Sequence, residues 1–143
     1  HYLKYRPRSR LEVRTYLEKK GFSDTAVSGA IKRLEDYRYV NDEEFARIWI
    51  ENRTRNRPRG EFALRHELNQ KGIPETITDK MLTGFQESEP AWKCILPKLD
   101  YWAGLGFMDL KKKIYSYLRQ RGFSFQTCEE IFKKAAEQLE LRQ

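Results

Sequence analysis

The chain has little of what catalytic and cofactor sites are built from. It holds only two histidines and two cysteines in 143 residues. Cys94 and Cys128 stand far apart, with no C-x-x-C and no Cys/His spacing for zinc, so neither a disulfide framework nor a metal site is expected. Such thiols fit a reducing compartment, and the expected location is cytoplasmic. No apolar run approaches the ~20 residues of a membrane span. The longest, "YWAGLGFM", is far shorter, so no membrane partner is expected. No segment reads as a secretory signal. His66 sits between Arg65 and Glu67 with no serine or cysteine in helical reach, and reads as a surface histidine. There is no G-x-x-x-x-G-K phosphate loop, and Gly104-Leu105-Gly106 is a lone G-x-G that reads as a turn. Strand-like alternation is also missing. These absences leave no catalytic residue, metal ligand or cofactor to assign, and the chain reads as a non-enzyme.

What the chain has in quantity is charge: 34% of residues, 28 basic against 21 acidic, a formal +7. That balance favours an anionic partner. Hydrophobics at 39% make a lean core, which suits an elongated helical protein better than a compact enzyme. The positive charge is also clustered. "RTRNRPRG" (Arg53 to Gly60) places an arginine at every second position, and "YRPRSR" (Tyr5 to Arg10) carries the same Arg-Pro-Arg triplet about 50 residues earlier.

Aligning the triplets brings longer stretches into register. "RPRSRLEVRTYLEKKGFSDT" (from Arg6) lies over "RPRGEFALRHELNQKGIPET" (from Arg57), and "DLKKKIYSYLRQRGFSFQT" forms a third copy ending in Arg121-Gly122-Phe123. A period of this size marks a solenoid-like array. Each copy reads as helix, tight turn, helix. Ser9-x-x-Glu12 is a capping box, and Ser23 caps the following helix. Gly21, Gly72 and Gly122 supply the left-handed residue that ends each first helix. Pro74 opens a helix at its first position, and Asp109 caps another. Asn41-Asp42 begins an extra helix carrying Phe45, Ile48 and Trp49, and Ser88 with Pro90 begins a second, which Pro97 must end or kink. Placing each extra helix at the front of a repeat predicts an all-α, elongated tandem array of three-helix repeats: 1–38, lacking most of its leading helix, then 39–86 and 87–143.

The clustered charges have ordinary and functional readings. Asp42, Glu43 and Glu44 suit the positive end of a helix dipole better than a metal site. Glu43, Arg47, Glu51 and Arg55 are spaced for ion pairs along one helix. Arg53, Arg57 and Arg59 have no such acids behind them, and Arg57 and Arg59 lie past the helix end. Most aromatics, Phe45, Trp49, Trp92, Phe123 and Phe132 among them, fall where packing is the default. Only Tyr2 and Tyr5 beside Lys4 and Arg6, and Tyr115 beside Lys111, Lys112 and Lys113, have the basic neighbours of a base-stacking platform. The helix–turn–helix pairs resemble DNA readers in outline. Yet the leading residues of their second helices, Ser23-Asp24-Thr25 and Pro74-Glu75-Thr76, place an acid where a phosphate would sit.

"YVNDEEFARIWIENRTRNRPRGEFALRHELNQKGI" (Tyr39 to Ile73) closely resembles the central motif of the RecX regulatory proteins, and the flanking copies resemble that family's first and third repeats. The match is loose between Glu87 and Phe107. The histidine start and the missing leading helix suggest the C-terminal part of a longer member. The resemblance implies a cytoplasmic, monomeric regulator of the RecA recombinase, most often an inhibitor, with roles in DNA recombination, DNA repair and the SOS response. Its implied partner is the RecA–single-stranded DNA filament, whose groove such proteins occupy. Weak binding to bare single- or double-stranded DNA is a secondary expectation. Carried onto this chain, the contact candidates are Arg53, Arg55, Arg57, Arg59 and Arg65, with Arg6, Arg8, Arg10, Lys111, Lys112 and Lys113 as further basic positions. Two rival readings stay open: a direct DNA-binding protein using the same arginines, and a helical scaffold for an acidic protein.

Overall fold

The structure, a computed structural model, describes residues 2–4 and 6–141. Every regular element among them is helical, as the sequence predicts: α1 (Arg10–Lys19), α2 (Asp24–Asp36), α3 (Asp42–Asn56), α4 (Glu61–Gln70), α5 (Glu75–Leu82), α6 (Ser88–Ile95), a 3-10 turn (Leu96–Lys98), α7 (Leu99–Trp102), α8 (Phe107–Gln120) and α9 (Phe125–Gln138). No helix among the described residues is long and apolar enough to cross a membrane.

Local chemistry sets the helix ends. Glu12 N–H donates to Ser9 Oγ while Ser9 N–H donates to Glu12 Oε1 at 3.0 Å, which closes the capping box. Ser23 and Ser124 cap α2 and α9 through the N–H groups of Ala26 and Thr127. Gly21, Gly72 and Gly122 have φ of +87°, +78° and +86°, the left-handed turn that ends α1, α4 and α8. Helix α3 stops at Asn56, because the residue before Pro58 is pushed out of the α region. Pro97 ends α6 at Ile95 and leaves a 3-10 turn in its place.

Two starts differ from expectation. Helix α8 begins behind Gly106, so Asp109 sits in its first turn instead of at its cap, where it still faces the positive end of the helix. Pro74 is the cap residue of α5, its carbonyl accepting from the N–H of Ile77 and Thr78. Among the acids of α3, Glu43 takes Lys80 of α5 at 3.0 Å, and Glu44 pairs with Arg47.

The helices gather into two compact units, His1–Ile50 with His66–Thr83 and Glu51–Arg65 with Gly84–Gln143. In the first, Val13, Val27, Ile31 and Val40 form one core, and Phe45, Ala46, Leu68 and Ile73 form another. In the second, Ile95 and Leu99 meet Leu110, Ile114 and Leu118 of α8 and Cys128, Ile131 and Phe132 of α9. Each fully buried Leu or Ile there contributes about 1.5–3 kcal/mol relative to exposure. Phe123 and Phe132 lie in this core and Phe45 in the other, the packing role expected of them.

Within each unit an acid from a later segment caps an earlier helix. Arg10 N–H donates to Asp42 Oδ1 at 2.9 Å. Glu87 gathers more: Oε2 accepts from Glu61 N–H at 2.7 Å, and Oε1 accepts from Ser124 N–H at 3.1 Å and the Thr127 hydroxyl at 2.8 Å. Burial alone would push the Glu87 carboxyl up, but these donors outweigh it and hold it below the usual range. A depressed carboxyl adds stability above its unfolded pKa of about 4.3, and that stability is lost as pH falls through the folded value. Glu87→Gln is therefore expected to cost about 1–3 kcal/mol at pH 7, because an amide leaves a buried donor unmatched. Thermal melts should show the gap between variant and wild type closing below about pH 4. An equal gap at both pH values would contradict the role of the charge.

Candidate functional site

The hinge between α3 and α4 forms one wall of a cleft of about 610 Å³ in the second unit. Asn56, Arg57, Pro58 and Arg59 face Lys93 and Cys94 of α6, Leu96 and Pro97 of the 3-10 turn, and Tyr117 and Arg121 at the end of α8. Short contacts hold the walls together. Gly60 N–H donates to the Arg121 carbonyl at 2.8 Å, and Lys93 Nζ donates to the Arg55 carbonyl at 2.8 Å. The Cys94 thiol donates to the Pro58 carbonyl at 3.3 Å. The approach at Gly60 requires glycine: a Cβ there would lie 2.2 Å from the Gly122 carbonyl oxygen.

Four cations line this cleft, and none of its ten lining residues is acidic. Burial pushes the Cys94 thiol up, while the charges of Arg121, Arg59 and Lys93 oppose it. The Arg121 guanidinium lies 3.5 Å from the centre of the Tyr117 ring and donates to the Tyr117 carbonyl at 2.9 Å, which fixes the direction of its fork. Arg57 is exposed and Arg59 half-buried. Planar forks of this kind grip phosphate or carboxylate through paired hydrogen bonds.

The other predicted positions are placed differently. Arg53 is half-buried in the last turn of α3 and has a partner within the chain. Arg55 is exposed and supplies its carbonyl to Lys93. Arg65 pairs with Glu61 across one turn of α4 at 3.6 Å. In the first unit, Arg6 is bonded to Glu12 at 2.5 Å, Arg8 lies 4.1 Å over the Tyr2 ring, and Arg10 approaches Glu35 at 3.6 Å. Tyr2 itself stacks on Tyr16 at 4.1 Å, and Tyr5 lies outside the described residues. Lys111 lies over the rings of Tyr115 and Phe132, while Lys112 and Lys113 are exposed, and none of the three lines the cleft. Burial and the Glu129 carboxylate push the Tyr115 phenol up to about 12, so it stays a hydrogen-bond donor at neutral pH. Among the described residues no group of three or more His, Cys, Asp or Glu is arranged to hold a metal.

Lys93, Tyr117 and Arg121 are the cleft residues that sequence reasoning passes over. Arg121 has a signal, since it occupies the place of Lys20 and Lys71 before the turn glycine. Lys93 has none, because only the fold brings α6 to the hinge.

Comparison with known proteins agrees with this architecture. Residues 1–34 match the family model of the RecX first three-helix domain, and residues 41–82 match that of the second. The chain is 34% identical over 132 residues to the regulatory protein RecX of Chlorobium phaeobacteroides (strain BS1), covering 90% of this chain and 87% of that one. It is 32% identical over 142 residues to the regulatory protein RecX of Bacillus subtilis (strain 168), covering 97% of this chain and 52% of the relative. The crystal structure of RecX from Lactobacillus salivarius has the same fold, with a TM-score of 0.86 at 22% identity over 95% of this chain and 90% of that one. With both domain models matched in order and a relative covered over most of its length, the chain belongs to the RecX family of regulatory proteins.

Proposed function

We propose that this chain regulates the RecA recombinase, as an inhibitor, by binding in the groove of the RecA–single-stranded DNA filament. It works as a cytoplasmic monomer and carries out no chemistry of its own. The family supplies the regulatory role. The observation that carries the contact is the cleft: Arg57 and Arg59, the hinge residues without acids behind them, line an acid-free concavity with Arg121 and Lys93. A filament offers an anionic surface to such a cleft, and steering by opposite charge speeds encounter. The direct duplex-reading alternative is disfavoured by Asp24 and Glu75, which stand in the first turns of α2 and α5 where a recognition helix would meet phosphates.

Equilibrium binding tests the reading. The chain is expected to bind fluorescent single-stranded DNA at least tenfold more tightly when RecA and a nucleotide that holds the filament are present. Equal affinity for bare duplex DNA and filament would favour the direct DNA-binding alternative.

A further inference from the structure

The hinge cleft has a counterpart in the first unit, and the two differ in their acids. There Lys4, Arg6, Pro7 and Arg8 line a cleft of about 450 Å³ against Arg38, Glu44 and Phe45. The repeat alignment places Arg6 over Arg57, Lys71 over Arg121, and Glu12 over Ala63. In the first unit Glu12 pairs with both counterpart cations, taking Arg6 at 2.5 Å and Lys71 at 3.4 Å, and Glu44 is the one acid among the described residues of the cleft lining. In the second unit the position of Glu12 is a methyl group. Arg57 and Arg121 lack the acid that pairs with their equivalents, and Lys93 adds another cation from α6.

One repeat thus ties Arg6 and Lys71 to Glu12, while the next leaves Arg57 and Arg121 without that acid. The charged cleft is also not wholly polar. Leu96, 49% exposed, and Pro97 form an apolar wall facing the cations. We propose that this cleft grips the sugar–phosphate backbone of an unpaired nucleic-acid strand, with Arg57, Arg59, Arg121 and Lys93 on the phosphates and Leu96 and Pro97 against the sugars and bases. Its volume lies in the range of small-ligand clefts, enough for a short run of one strand. Cations beside an apolar wall are the pairing that single strands require, since their bases are unstacked. The inference rests on the filament reading for its setting and goes beyond it by naming the strand, not the recombinase, as what the hinge touches.

The test uses fluorescently labelled oligothymidylate with no RecA present, titrated by anisotropy over a range of salt. Wild-type binding should weaken steeply as salt rises. Arg121→Gln with Lys93→Gln should lower affinity tenfold or more and flatten the log–log salt slope by about 0.7 for each phosphate no longer neutralised. Lys19→Gln with Lys32→Gln, two exposed positions in the first unit that remove the same charge, should change affinity less than threefold. Ala63→Glu, which installs the counterpart of Glu12, should mimic the cleft variant with every cation in place. Because Ala63 packs against the Gly122 turn, circular dichroism must show this variant folded, and the Arg121/Lys93 variant carries the test otherwise. Equal loss in the Lys19/Lys32 control would overturn the proposal, as would tighter binding of duplex of the same length. If the filament is bound through Arg121 while bare oligothymidylate is not, the cleft takes an acidic protein surface; this inference then falls and the filament reading stands. If bare strand binds through the cleft but the filament does not, the filament reading falls instead.

Discussion

Arg57→Glu combined with Arg59→Glu is expected to weaken binding to the RecA–DNA filament tenfold or more, at ~1.4 kcal/mol per decade, while the fold stays intact. The two residues lie past the end of α3 and line the acid-free cleft, so reversing their charge breaks no ion pair inside the second unit. Substitutions outside a core usually shift stability by about 0.5 kcal/mol. The circular dichroism spectrum and melting temperature should therefore remain close to wild type, while the concentration needed to regulate RecA rises in step with the drop in affinity. A folded double variant that regulates at wild-type concentrations would show the arginines to be a solvated hinge only.

Gly122→Ala is expected to act in the opposite manner, through the fold. Gly122 has φ of +86°, where an L side chain costs about 1–2 kcal/mol. A Cβ there would also lie 2.4 Å from the Ala63 Cβ and 2.5 Å from its backbone nitrogen, and relieving such overpacking typically costs a further 1–3 kcal/mol or so. Together these give a loss of about 3 kcal/mol, or a fall in melting temperature of roughly 6–12 °C. Gly29 in α2 is the control, since a Cβ there meets nothing within 4 Å. Gly29→Ala should leave stability unchanged or raise it by about 0.5–1 kcal/mol, the helix preference for alanine. Melting of Gly122→Ala within about 2 °C of wild type would contradict the packing described for the turn. Because Gly60 docks on this same turn, the variant should also lose filament binding, whereas Gly29→Ala should keep it.

The features legible in the sequence are those decided by near neighbours. The Ser9–Glu12 box, the three glycine turns and the breaks at Pro58 and Pro97 each depend on a few consecutive residues, so spacing alone places them. The features that escape join distant segments. Asp42 suits its own helix dipole by position, yet its carboxylate also caps α1, and Glu87 ties α4 to α9 from a stretch with no recognisable motif. The candidate site is half visible for the same reason. A run of alternating arginines marks Arg57 and Arg59, but Lys93 and Arg121 reach the hinge only through the packing of α6 and α8. The lysine run shows that charge by itself does not say where a side chain lies: Lys111 lies over two aromatic rings. The most informative letter is a small one, Ala63 where the first repeat has Glu12, and its meaning depends on knowing that Glu12 holds two cations.

The rate of ATP hydrolysis by RecA on single-stranded DNA, followed while this chain is titrated in, tests the central claim most directly. If the chain inhibits RecA from the filament groove, the rate falls in a saturable manner at concentrations matching filament binding, and the Arg57/Arg59 double variant requires at least tenfold more protein for the same effect. A rate unmoved by saturating wild-type chain, or lowered equally by both proteins, would contradict it.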